Sequence, residues 1–217
     1  MSRLRGCPAT STSISTPMEK HAPVAHPIET LLQRRWSPRV FDPRPVERAV
    51  LLRLFEAARW APSSFNEQPW RYIVTSQEDP ERLREAQSVL SPGNAWATKA
   101  PVLICTVAQL TFARNGKPNR HAFHDVGAAS ENLLLQATAL GLFGHQMAGF
   151  DVEKARAVFQ VPEGYEPVAM MALGYPAALE TLTEEQRAHE QRARARRPIE
   201  EFVFDGRFGN SIENETG

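Results

Sequence analysis

APVLICTVAQ, residues 100–109, is a continuous apolar run of strand length, and it reads as a strand buried on both faces. Working outward, RYIVTS (71–76) is β-rich and bounded by turn residues, and PVAMMALGYP (167–176) is a second buried strand. Between and around them lie helical patterns. VERAVLLRLFEAARWA (46–61) repeats Val46, Val50, Leu54 and Ala57/Ala58 at helical spacing until Pro62 ends it. HDVGAASENLLLQATALGL (124–142) is apolar nearly all round, through Val126, Ala129, Leu133, Ala137 and Leu140, with Gly141 as C-cap, so it reads as a central helix. PERLREAQSVL (80–90), DVEKARAVFQVP (151–162) and IETLLQRRW (28–36) are shorter helices, the last with Ile28, Leu31 and Leu32 on one side. LGLFGHQMAGF (140–150) reads as a small-residue loop whose backbone N–H groups can approach a ligand closely. Helices interleave irregularly with about four strands, an α+β pattern rather than a regular βαβ series.

The 217 residues fit one domain with an arm, divided here into a flexible leader, 1–26, and a domain, 27–217. Lys and Arg balance Asp and Glu at 25 each, which argues against a general nucleic-acid binder or a polybasic membrane protein. The leader lacks the continuous apolar segment of a secretory signal, Met18 offers an alternative start, and no window is long enough to span a bilayer. Cys7 and Cys105 sit in settings too unlike for a disulfide framework, so a cytoplasmic location is expected and Cys105 is a core residue.

Any charge-based function is therefore local, and RRWSPRVF (34–41) is where charge concentrates. Arginine presents a planar fork matched to phosphate, so Arg35, Ser37 and Arg39 on alternate positions can converge on one anion; a solvated cationic helix end is the other reading. In APSSFNEQPWRYIV (61–74), the amides of Asn66 and Gln68 suit the edge of a heterocycle with alternating donors and acceptors, although a Pro-rich turn accounts for part of the string. His121, His124 and Asp125 offer a metal site or simply surface residues at a helix start. QRARARRP (191–198) alone reads as a solvated helix face. There is no G-x-G-x-x-G, Walker loop or G-x-S-x-G elbow.

In order, R-x-S-x-R-x-F (35–41), P-S-S-x-N-x-Q-P-W (62–70), A-G-F-D (148–151), L-G-Y-P (173–176) and R-R-P-x-E-E (196–201) resemble the nitroreductase family of FMN-dependent oxidoreductases. The resemblance covers residues 28–209. It implies a mostly antiparallel sheet flanked by helices, and a homodimer with an exchanged C-terminal arm and FMN at the interface. It assigns Arg35 and Ser37 to the ribityl phosphate end and Arg34 to cofactor binding, with Arg194 and Arg196 returning to the phosphate and Arg197 able to replace either. Arg39 falls at the N1/O2 edge, where a cation stabilises reduced flavin. Asn66 and Gln68 meet the flavin and its ribityl chain from the other side, and backbone N–H groups around Ala148 and Gly149 face N5 and O4; Pro62, Ser63, Ser64 and Gln146 are further cofactor-binding positions. Many members carry an acidic residue where Ala148 stands.

The resemblance implies hydride transfer from NADPH or NADH to a nitroaromatic, quinone, flavin or activated alkene by alternating half-reactions, with the flavin and no dedicated side chain carrying the chemistry. Other readings are an FMN store or sensor without turnover, a specialised flavin enzyme such as a dehalogenase or ene-reductase, and a phosphate-responsive module without flavin. Segments 88–99 and 110–124 are the candidate lids.

Overall fold

The structure, a computed structural model, describes residues 20–212. Most of the expected leader and Met18 lie outside the described residues. Within residues 20–26, Lys20 Nζ donates to the Glu190 carbonyl and Ala22 N–H donates to Gln33 O at 2.9 Å, so this part of the leader is docked on the domain.

Four strands, β1 (Trp70–Ser76), β2 (Val102–Gln109), β3 (Phe143–Met147) and β4 (Tyr165–Gly174), form one sheet in the order β1-β2-β4-β3, every neighbour antiparallel. The apolar run at residues 100–109 contains β2, which lies between two partners. Because strand side chains alternate faces, Val102, Ile104 and Ala108 enter one core and Leu103, Cys105 and Val107 the other. The first core holds Leu54 of α2 (Arg48–Arg59) and Val126, Ala129 and Leu133 of α4 (Ala122–Ala139); the second holds Leu83 and Ala86 of α3 (Pro80–Gln87) and Ala155 of α5 (Val152–Val158). The β2–β4 register shifts between Thr106 and Val107, beside Pro167, which has no N–H to offer. The Thr106 hydroxyl repairs the ladder there, donating to Ala169 O and accepting Ala169 N–H, both at 3.1 Å.

Two expectations need correction. The segment read as a loop over 140–150 contains β3, which adds an edge strand to β4; Gly144 is present because a Cβ there would overlap Leu134 Cδ2 of α4. Small residues here signal close sheet-to-helix packing rather than a loop. Likewise the helix expected over 28–36 is shorter, α1 (Thr30–Arg34), which leaves Ile28 outside it; Ile28 and Leu32 are 44% and 41% exposed. Where α6 (Glu184–Glu190) begins, Thr183 and Gln186 form a reciprocal capping box. Among the described residues no helix is long and apolar enough to cross a membrane.

Burial raises the Cys105 thiol from 9.0 to about 12 and the Tyr72 hydroxyl from 10.0 to about 12, the latter against a small opposing effect of its bond to Ser130. Both acids hold their protons longer folded than unfolded. Their contribution to stability is therefore complete below about pH 9 and is lost as pH rises toward 12. Urea unfolding should give a stability about 2 kcal/mol lower at pH 10.5 than at pH 8 from Cys105 alone, a slope that Cys105→Ala removes.

Candidate functional site

The first motif is fixed at both ends. Downstream, Phe41 bridges Pro176, Asp42 N–H donates to Tyr175 O at 2.9 Å and Ala177 N–H donates to Val40 O at 3.1 Å. The R-x-S-x-R-x-F stretch is thus paired with L-G-Y-P, two motifs far apart in sequence. Gly174 permits that pairing, because a Cβ there would lie 2.7 Å from Pro101 Cγ and 3.1 Å from Phe41 Cδ1. Neither contact is the end of a flexible chain. Gly174→Ala should cost about 1–3 kcal/mol, read as a lower Tm with two-state unfolding retained.

Upstream, Arg194 reaches back across the chain. Its Nη1 donates to Lys20 O and Gln33 O at 2.7 Å each, and its Nη2 donates to Arg35 O at 2.8 Å. Two of these bonds satisfy carbonyls at the end of α1, the helix end where a cation is favoured, and the third ties down the segment at Lys20. Beside it, Arg35 Nε lies 3.4 Å from Glu131 of α4, and Arg196 is exposed. Desolvation first, then Arg35 and Arg196, push the Arg194 pKa below its ordinary value. Positive charge therefore accumulates here beyond what Glu131 offsets. Arg35, Arg194, Arg196 and Arg197 line one part of a cleft of about 830 Å³, whose other walls include Val24, Ile28, Leu32, Ile199 and Phe202. Arg34 does not line this cleft.

Arg35, Ser37 and Arg39 do not converge on one anion, as their alternate spacing suggested. Arg39 lines a separate pocket of about 290 Å³ with Trp96, Lys99, His189 and Glu190. Its N–H donates to the buried Glu190 carboxylate at 2.9 Å, and its guanidinium lies 5.5 Å from the centre of the Trp96 ring. Trp96 in turn packs on His145 at 4.7 Å between centroids. Desolvation chiefly lowers the His145 pKa, with Arg39 adding to it against opposing bonds to Pro38 and Ser37 carbonyls. The ring is accordingly neutral near pH 7, with its proton on Nδ1, donated to Pro38 O at 3.0 Å. Ser37 itself is exposed between these anchors.

The second motif lies elsewhere. Ser64 N–H donates to Asp125 Oδ2 at 3.0 Å at the start of α4, and Ser63 Oγ accepts Gln68 N–H at 3.0 Å. Phe65, Asn66 and Gln68 all have positive φ (54°, 56° and 53°), a conformation that turns their side chains outward at a local cost. Gln68 Nε2 bonds Asn66 O at 3.1 Å, while Pro62 and Asn66 are exposed. Asp125 also accepts from His124 Nδ1 at 3.0 Å, and no group of three metal-ligating side chains occurs among the described residues. Asp125 therefore anchors the loop. The arginine cluster meets α4 at Glu131, six residues and about 9 Å further along the helix axis.

The third motif follows β3. Gln146 and Ala148 are exposed, and Gly149 is tied through its carbonyl to the turn Pro92–Lys99. That turn was an expected lid; it is instead packed down, with Ala97 buried and Gln87 Nε2 donating to Thr98 O at 3.0 Å. The other expected lid is a short hairpin in which Thr111 bridges Pro118, with Arg114 stacked 4.0 Å from the Phe65 ring centre. Glu190, Asp125, Asn94 and Trp96 all carry weight in this region that sequence reading did not assign. Only Asp125, in the first turn of α4, carried a signal, and it pointed to metal binding.

A sequence model described as the nitroreductase family matches residues 32–175. A protein named NADH dehydrogenase from Thermus thermophilus is 32% identical over 196 residues, covering 74% of this chain and 91% of its own. Among solved structures, one described as an oxidoreductase containing FMN superposes with a TM-score of 0.80 at 29% identity, covering 90% of this chain and all of its own. A nitroreductase family protein from Clostridium difficile 630 superposes at 0.62 with 28% identity, over 80% and 94%. The α+β fold with its antiparallel sheet is that of these solved structures. The chain belongs to the nitroreductase family.

Proposed function

We propose that the protein is an FMN-dependent oxidoreductase that accepts electrons from NADH or NADPH and passes them to a small acceptor such as a nitroaromatic or quinone. The observation that carries this reading is the excess of guanidinium groups, Arg35, Arg194 and Arg196, at one part of a large cleft lined elsewhere by apolar side chains. A phosphate suits that cluster, and an aromatic ring system suits the apolar walls. When bound, FMN supplies a two-electron carrier that takes hydride from the donor and gives it up to the acceptor.

The chain's own residues bind and orient. Arg35, Arg194 and Arg196, with Arg34 and the Ser37 hydroxyl nearby, hold the phosphate end. Arg39, kept in place by Glu190 and Trp96, supplies a fixed cation at the pyrimidine edge, favouring the reduced form. Gln146, Ala148 and Gly149 present polar groups along the opposite edge. The loop carrying Pro62, Ser63, Ser64, Asn66 and Gln68 is anchored on Asp125, away from the arginines, which favours a site completed by a second copy of the chain. The exposed face of α4, where Phe123 is half exposed and Gly127 has open space beside it, suits that contact, as do Phe202 and Phe208 in the C-terminal arm. Alanine in place of an acidic residue at 148 leaves the backbone donors and removes a charge from the substrate side.

The test is titration of flavin-free protein with FMN and with riboflavin, which lacks the phosphate. The expected result is FMN binding at least 100-fold tighter, about 2.7 kcal/mol. Equal affinities would remove the arginine cluster from the site.

A further inference from the structure

The segment 148–150 is a tight turn whose parts are linked. Phe150 N–H donates to Ala148 O at 3.1 Å, and Gly149 O accepts two bonds, from Asn94 Nδ2 at 2.8 Å and from Ser91 N–H at 3.1 Å. Peptide planarity makes this a chain of constraints. Fixing the Gly149 carbonyl fixes the plane that contains Phe150 N–H. That N–H holds the Ala148 carbonyl, and the trans peptide then directs Gly149 N–H the opposite way. Among the described residues the Gly149 N–H has no acceptor. A backbone donor held this firmly and left unpaired is a group prepared for a ligand.

Asn94 itself is held by its own N–H, which donates to Ser91 O at 2.8 Å. The strap that carries it runs beside the turn: Asp151 N–H donates to Val89 O at 2.8 Å and Leu90 bridges Phe150. The fit is close, since a Cβ on Gly149 would stand 2.7 Å from Asn94 Nδ2.

We propose that Asn94 is a positioning residue, which by gripping the Gly149 carbonyl aims the Gly149 N–H at the hydride-accepting edge of the flavin. This rests on the FMN reading above. Asn94 does not hold the cofactor, which the arginines grip at its other end.

The variants are Asn94→Ala and the near-isosteric Asn94→Asp, which keeps the volume but loses the donor. Gln87→Ala is the control: it removes an amide bond to the same turn, at Thr98 O, without touching Gly149. Two readouts are independent of turnover. In flavin-free protein, exchange of the Phe150 amide, which belongs to the gripped peptide and is bonded to Ala148 O, should speed about tenfold or more in both Asn94 variants and stay unchanged in Gln87→Ala. In the holoprotein loaded with 15N-labelled FMN, the N5 resonance should move toward that of a flavin without a hydrogen bond there. FMN affinity should stay within about threefold, while reduction by NADH or NADPH slows about tenfold, or 1.4 kcal/mol in the barrier. Wild-type exchange and N5 resonance in the Asn94 variants, or the same changes in Gln87→Ala, would overturn the role. Wild-type protein that takes up no FMN would instead overturn the flavin reading, and the exchange data would still decide whether Asn94 fixes the Gly149 peptide.

Discussion

Replacing Arg35 and Arg39 together by alanine yields protein that purifies without flavin. Each arginine offers charge-assisted hydrogen bonds worth about 1.5–3 kcal/mol to its own end of bound FMN, Arg35 to the phosphate and Arg39 to the pyrimidine edge, so losing both weakens FMN binding about 10²–10⁴-fold. Folding should suffer little. The Arg35–Glu131 pair is partly exposed, and Arg39 is held through its backbone N–H, which alanine retains. The combination to look for is lost cofactor with a Tm close to that of flavin-free wild type. A double variant that purifies yellow at full occupancy would refute the assignment of both side chains.

Arg194→Ala should be the most damaging single change in the region, because it acts twice. It leaves the carbonyls of Lys20, Gln33 and Arg35 without their shared donor and also removes a charge from the cleft. A stability loss of about 3 kcal/mol together with lost FMN binding is expected. Arg194→Lys should rescue little, since an ammonium cannot reproduce a planar fork across three acceptors. Arg196→Ala separates the two effects. Its guanidinium is exposed and among the described residues bonds only Ala195 O, at 2.8 Å, so stability should change by less than about 0.5 kcal/mol while FMN affinity falls. Chemical denaturation and FMN titration of the three variants check this; an Arg194→Ala protein as stable as wild type would contradict the structural half of the role.

The helices α2 and α4 and the strands β1, β2 and β4 were legible because one-dimensional periodicity reports burial directly. Leu54 and Leu133 fall where the 3.6-residue repeat places them, and β2 is apolar on both faces because it is covered on both. β3 escaped because FGHQM has a glycine where α4 presses closest and an exposed glutamine at the sheet edge, so neither strand pattern emerges. Ile28, just before α1, and Leu32 within it line a cleft, and an amphipathic pattern does not say what covers such residues.

The site divides in the same way. Arginine content and spacing marked residues 34–39 as unusual, and family motifs supplied roles for them. The convergence of Arg194 on the Arg35 backbone, 159 residues away, and of Glu190 on Arg39, 151 away, is set by tertiary packing and has no local signature. Nor does the positive φ of Phe65, since phenylalanine is not a residue that announces that conformation. Asn94 sits in a stretch, SPGNAW (91–96), that reads as the end of a helix and part of a candidate lid, with nothing to mark the asparagine itself.

The visible absorption spectrum of freshly purified protein, followed in the same anaerobic cuvette by NADPH and then NADH, tests the flavin reading most directly. Two flavin bands that bleach on addition of one donor, and return when a quinone or nitroaromatic is added, are the predicted result. A colourless protein that takes up no added FMN would contradict it.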